Sequence, residues 1–302
     1  MAVIALDRAP AIALPRGIRR SRRTVNATAT VAITGLFVLA LVPLGSLLWT
    51  AASRGLARFD VEFFTNSMLG VVGGGGGALH AIVGTGLITG ATILLSVPVG
   101  VTAAVYLVEY GRGWFKRTVT FLVDVMTGIP SIVAGLFAYA VFSLILGPGM
   151  RSGVAGALAL SLLMIPVVVR SSEEMLRLVP DELREASYAL GVPKYRTILK
   201  VVLPTSISGI VAGVMIGIAR IVGETAPLLL VAGYTDVMNY NLFSERITTL
   251  PVFIYSQWKN KGMDVAAYDD RAWTAALVLI AFVLLLNLVS RLVARLFAPK
   301  AR

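Results

Sequence analysis

The feature that most restricts this chain is the length of its uncharged runs. From Leu79 to Val108 no Asp, Glu, Lys or Arg interrupts the sequence. As one helix that run would reach ~45 Å at ~1.5 Å per residue. A bilayer core is ~30 Å thick, so tilt or an extension beyond the membrane is expected, with a kink at Pro98. A second run, Ala29 to Ala51, is too long for the ~7–15-residue core of a cleavable signal and reads as a signal anchor and first span. Charged residues make up only 14% of the chain, against roughly 25% in soluble domains. The expected class is an all-α integral membrane protein with six transmembrane helices.

The other spans read as about Val119–Leu146, Gly153–Val169, Thr205–Tyr234 and Ala272–Leu296. Residues 1–28 form a basic tail, in which Pro10, Pro15 and Gly17 argue against a long helix. Residues 29–298 then form the transmembrane domain, with a core from about 79 to 297. The connection 52–78 ends in five glycines, Gly73 to Gly77, and reads as a flexible external loop. His80, the single histidine, reads as an interfacial residue, and Thr235–Arg271 as a polar external loop. Of the 27 Lys and Arg, 19 lie in the tail, the loop after the second span, the segment Arg170–Lys200 and the C-terminal end. The positive-inside rule places those four regions, and so both termini, in the cytoplasm.

Several chemistries are absent from the pattern. The chain has no cysteine, hence no disulfide framework or thiolate. The five glycines lack a following Lys-Ser/Thr, and no G-x-x-x-x-G-K-[ST] phosphate loop occurs elsewhere. A Ser-His-Asp set, an H-E-x-x-H motif and an acidic metal cluster are likewise missing, so neither a catalytic nor a metal site is expected. The net charge of +11 sits beside apolar spans, which points to a membrane rather than to nucleic acid.

The sharpest chemical signal is charge inside the apolar runs. Arg220 and Glu224 lie four residues apart, a spacing that puts both on one helix face. An Arg at a bilayer centre costs ~2.5–3.5 kcal/mol on insertion scales, so something must compensate. Glu224 is the expected partner, and a polar pathway would lower the cost for both. The guanidinium fork suits oxyanions, and a nearby acid keeps such a site shallow enough to release its ion. A buried pair that only fixes helix packing is the competing reading. Asp124, about six residues into its span, reads as reaching the cytoplasmic interface or pairing with Arg170 or Arg117, and is also a candidate pathway residue. Arg170, at the inner end of the fourth span, either snorkels or lines the pathway mouth.

The longest polar interruption that still looks helical is Arg184–Pro204, REASYALGVPKYRTILKVVLP. Gly191 and Pro193 break it into a helix, a turn and a second helix, and the whole segment spans about 181–204. Glu185-Ala186, Gly191 six residues on, and Leu203-Pro204 resemble the EAA loop of permease subunits in ATP-binding-cassette (ABC) importers. Ser187 stands where that pattern has a second Ala, and Val201 where it usually has Ile. Three more stretches, AIVGTGLITGATILLSVPVGVTAAVYLVEY from Ala81, GIPSIVAGLF from Gly128 and ARIVGETAPLL from Ala219, resemble the phosphate importers of the Pst system. The short first loop and TLPVFIYSQW from Thr249 look more like the A-type than the C-type subunit.

The resemblance implies the type I importer permease fold and a cell-membrane subunit that imports inorganic phosphate. It implies a C-type permease partner, two copies of an ATPase that bind ATP and Mg, and an extracytoplasmic phosphate-binding protein. This chain itself would bind no cofactor. Glu185, Ala186, Gly191, Leu203 and Pro204 would couple to the ATPase; Arg220 and Glu224 would line the pathway. A permease for sulfate or molybdate shares all but the phosphate-like stretches. An ATP-independent secondary transporter is the further alternative.

Overall fold

In the computed structural model, residues 16–297 are described as backbone and 22–292 also as side chains. The first fifteen residues of the basic tail and the last five of the chain lie outside the described residues. The chain divides into two compact units, Met1–Thr50 and Ala51–Arg302.

Helix α1 runs from Arg16 to Gly55. It starts inside the stretch expected to be a non-helical tail, because Gly17 sits in its first turn, where a helix tolerates it. Then come α2 (Val61–Thr65) and α3 (Leu79–Val105), which continues through a π-helical turn at Tyr106–Tyr110. The expected third span is two helices, α4 (Gly113–Thr127) and α5 (Ser131–Leu146), bent by 110°. Gly128 ends the first and Pro130 starts the second, since proline has no N–H to continue a helix and fixes φ for a new one. Among the described residues five helices are long and apolar enough to cross a membrane singly, and the bent pair makes six if it forms one span.

Helix α6 (Gly153–Arg177) is longer than the run expected to stop at Val169. Next are α7 (Asp181–Ala189), α8 (Lys194–Thr197), a π-turn at Ile198–Val202 and α9 (Leu203–Val222). The expected fifth span breaks at Gly223, and α10 (Ala226–Val231) follows as a separate short helix. The segment expected to be a polar loop holds a largely buried helix, α11 (Leu250–Lys259). The last helix, α12, runs from Val265 to Phe297.

α6 is the axis of the second unit; α3, α4, α5, α9 and α10 all pack against it. Lipid supplies no hydrophobic drive between helices, so they associate through close packing, which small residues permit. α9 presents Gly209, Gly213 and Gly217, one per turn, to Met175, Ser171 and Met164 of α6. A Cβ on Gly213 would stand 2.2 Å from Ser171 Oγ and 2.3 Å from its Cβ. Gly213→Val should therefore cost about 1–3 kcal/mol through overpacking, read as a lower melting temperature of the purified protein. Gly86→Val, with nothing within 4 Å of the added carbon, should leave that temperature unchanged.

The five-glycine loop is pinned rather than flexible. Gly73, Gly75 and Gly76 take positive φ, which their lack of a Cβ allows. Arg271 of α12, fully buried, donates through Nη1 to Gly73 O at 2.7 Å and Gly75 O at 3.0 Å. Its Nε donates to Gln257 Oε1 at 2.9 Å, and its guanidinium lies over the Tyr268 ring. Glu62 accepts from Gly76 N at 2.9 Å, and Arg58 donates to Gly76 O at 3.0 Å. Nearby, the Asp60 carboxyl caps α2 and is held below the usual range, chiefly by the backbone N–H of Phe63. His80 is buried in the first turn of α3 against the Phe253 ring. Burial follows from α11 folding back over the start of α3.

Candidate functional site

Two groups of residues carry chemistry. The first is the V formed by α7 and α8. Gly191 sits at its apex with φ +74°, a left-handed conformation that a side chain would resist. Inside the V the Ser187 and Thr197 hydroxyls are bonded at 2.8 Å, both buried. The serine that departs from the Glu-Ala-Ala pattern thus joins the two arms. Leu203 and Pro204 open α9 directly after the π-turn at Ile198–Val202.

Arg184 anchors the V. Its Nε and Nη2 approach Glu109 Oε1 at 3.1 and 3.0 Å. Its other bonds go to Asp181 Oδ1 at 3.0 Å, Val179 O at 2.6 Å and Leu176 O at 2.9 Å. One guanidinium therefore ties α7 to the end of α3 and caps the last carbonyls of α6. Lys194 adds a bond to Glu109 O and lies over the Tyr110 ring. The outward side of the V carries exposed Glu185, Ala186, Tyr188, Leu190 and Tyr195. It is a half-apolar surface held rigidly from behind.

The second group lies along the helices. Arg170 bonds Asp124 of α4 and donates to Glu173 Oε2 at 2.8 Å, while Arg177 donates to Glu173 Oε1 at 2.7 Å. Arg170 is thus two turns inside α6 rather than at its end, with a carboxylate on either side. Glu173 was missed by the sequence reading, although Arg-x-x-Glu-x-x-x-Arg puts all three on one helix face. Glu109 had no such signal, since its partner lies 75 residues away.

Arg220 and Glu224 do not share a helix face. Arg220 is in the last turn of α9, and Glu224 lies past Gly223 in the break before α10. Arg220 is exposed, Glu224 half-buried, and neither forms an ion pair among the described residues. The break leaves an open guanidinium at the end of a membrane helix with a carboxylate nearby in sequence. The fork's donors are not used by any partner among the described residues, and free guanidinium donors suit oxyanions.

A sequence family described as the binding-protein-dependent transport system inner membrane component matches residues 96–302. The chain is 46% identical over 305 residues to the phosphate transport system permease protein PstA 1 of Mycobacterium tuberculosis H37Rv, covering all of this chain and 97% of that one. It is 46% identical over 288 residues to PstA of Mycobacterium leprae, covering 94% and 93%. Against PstA of Yersinia pestis it is 38% identical over 280 residues, covering 92% of each. Among solved structures, an inward-facing MetNI methionine ABC transporter matches with a TM-score of 0.56 at 22% identity, covering 74% of this chain and 94% of that one. A bacterial alginate ABC transporter in complex with its alginate-bound periplasmic protein matches with a TM-score of 0.57 at 16% identity, covering 93% and 99%.

Proposed function

This chain belongs to the binding-protein-dependent transport inner membrane components, among the PstA phosphate permeases, and from that premise we propose how its residues do the work. It is a multi-pass inner membrane protein, the permease subunit of an ABC importer for inorganic phosphate. ATP is bound by an ATPase partner, and substrate arrives on a binding protein.

The finer assignments are our reading. Both termini and the V of α7 and α8 face the cytoplasm, on the strength of the Lys and Arg distribution. The assembly holds one C-type permease and two ATPase copies beside this chain. The outward side of the V, with Glu185 and Ala186, seats in the ATPase. Arg184 makes the V rigid against α3 and α6, so ATPase closure moves all three together. α8 runs through the π-turn into α9, whose 20 residues reach ~30 Å at ~1.5 Å each. Displacement of the V is thereby carried to Arg220, at the far end of the same helical rod. Arg220 takes the phosphate dianion on its fork, and Glu224 keeps the well shallow. Asp124 and Arg170 hold α4 to α6 at the inner mouth. The observation that carries this reading is the unpaired, exposed Arg220 beside a helix break.

The test is uptake of labelled phosphate into proteoliposomes containing this chain with its permease partner, ATPase and binding protein. Uptake should require ATP and resist competing sulfate and molybdate. Displacement by either competitor would move the substrate assignment to that oxyanion; uptake without ATP would discard the role given to the V.

A further inference from the structure

Two arginines at the other end of α10 take no part in this reading. Arg151 lies between α5 and α6, and Arg246 in the long segment before α11. Backbone bonds to the end of α10 hold the neighbour of each: Ser152 N donates to Val231 O at 3.0 Å, and Ile247 N to Ala232 O at 3.1 Å. The next residue, Gly233, has φ +76°. Both arginine stems cross above it; a Cβ there would stand 2.9 Å from Arg151 Cδ and 3.2 Å from Arg246 Cδ. The glycine is therefore what lets two like charges converge on one place.

Neither guanidinium forms an ion pair among the described residues. They line an open surface cavity of about 380 Å³ with Gly149, Met150, Thr235 and Glu245. Among the described residues Glu245 is the non-glycine residue with positive φ, 61°, a costly conformation for a side chain, and its carboxylate makes no ion pair. The first turn of α6 begins at Gly153, and the positive end of its dipole adds to the potential beside Arg151. Two unpaired guanidinium forks with one carboxylate at hand repeat the composition of Arg220 and Glu224, with one more positive charge.

We propose that Arg151 and Arg246 form an outer oxyanion station, which receives a tetrahedral anion such as phosphate before it passes to Arg220. α10 has six residues, ~9 Å at ~1.5 Å each, and it runs from the break that follows Arg220 to Gly233, beside Arg151 and Arg246. Conduction through two shallow sites avoids the trapping that one deep site would cause. Glu245 limits retention at the outer station. The anion's identity rests on the phosphate-import reading, but the site and its test do not.

The chain has no cysteine, so Met150→Cys places a unique thiol in the cavity wall. In the assembled transporter, labelling of this chain would be timed with a sulfonate-bearing and a trimethylammonium-bearing methanethiosulfonate. The negative reagent should react roughly tenfold faster, as expected where charge raises local anion concentration. The ratio should fall to about one in the Arg151→Gln/Arg246→Gln background and rise with Glu245→Gln. Millimolar inorganic phosphate, but not chloride at equal ionic strength, should slow the sulfonate. Equal rates, no protection by phosphate, or no labelling by either reagent because another chain covers the cavity would each overturn the station. None of these outcomes depends on ATP or on uptake. A transporter that protects the thiol with phosphate yet imports sulfate would retain the station and reject the substrate reading.

Discussion

Arg220→Gln should reduce phosphate uptake about a hundredfold while the protein reaches the membrane at its normal level. A hydrogen bond to a charged group contributes about 1.5–3 kcal/mol, and each 1.4 kcal/mol is about tenfold. Removing the charged fork removes two such bonds from a passing dianion. Arg220 is exposed and forms no ion pair among the described residues, so its loss breaks no packing. Arg220→Lys, which keeps the charge and loses the fork, should fall in between, roughly tenfold down. The readout is initial uptake per mole of transporter, quantified by immunoblot of the same vesicles. Wild-type uptake by the glutamine variant would remove Arg220 from the pathway.

Arg184→Met should uncouple the transporter. Its five bonds to Glu109, Asp181, Val179 and Leu176 disappear, and Glu109, whose side chain is only 5% exposed, is left without its cation. Breaking one partner of a buried pair costs about 3–5 kcal/mol, enough to let the V move independently of α3 and α6. ATP hydrolysis should continue, but stimulation by loaded binding protein and uptake should both drop by about tenfold or more. Glu185→Lys gives the contrasting result: it changes the exposed face and leaves the anchor whole. It should lower retention of the ATPase during purification, while Arg184→Met should leave that retention largely intact. If both variants lose the ATPase equally, the anchor and the face are not separable.

The parts of this architecture written in local patterns were legible in the sequence. Gly191 and Pro193 gave the apex of the V because a left-handed turn and a helix start have local residue requirements. The long apolar runs gave the membrane class. What failed was the assumption that an apolar run is one helix. Gly128-Ile129-Pro130 and Gly223-Glu224-Thr225 lie inside runs, yet each is a helix end followed by a proline-containing start. The second break removes Arg220 and Glu224 from a common face, since spacing of four means adjacency only within a continuous helix. Proline at position 227 was the available warning. The Glu109–Arg184 and Arg271–Gly73 contacts were not legible, because they join residues 75 and 198 positions apart.

The second of those contacts also constrains biogenesis. The glycine loop emerges early in synthesis, just after α1, but the guanidinium that fastens it belongs to the last helix. Until α12 is delivered, the carbonyls of Gly73 and Gly75 lack this donor, and the start of α3 lacks its final cover. Closure of this loop thus waits for the synthesis of α12. A chain cut short by even its final span would display an unfastened loop that protease or quality control could recognise. The clamp thus ties the folding of an early loop to the arrival of a late helix.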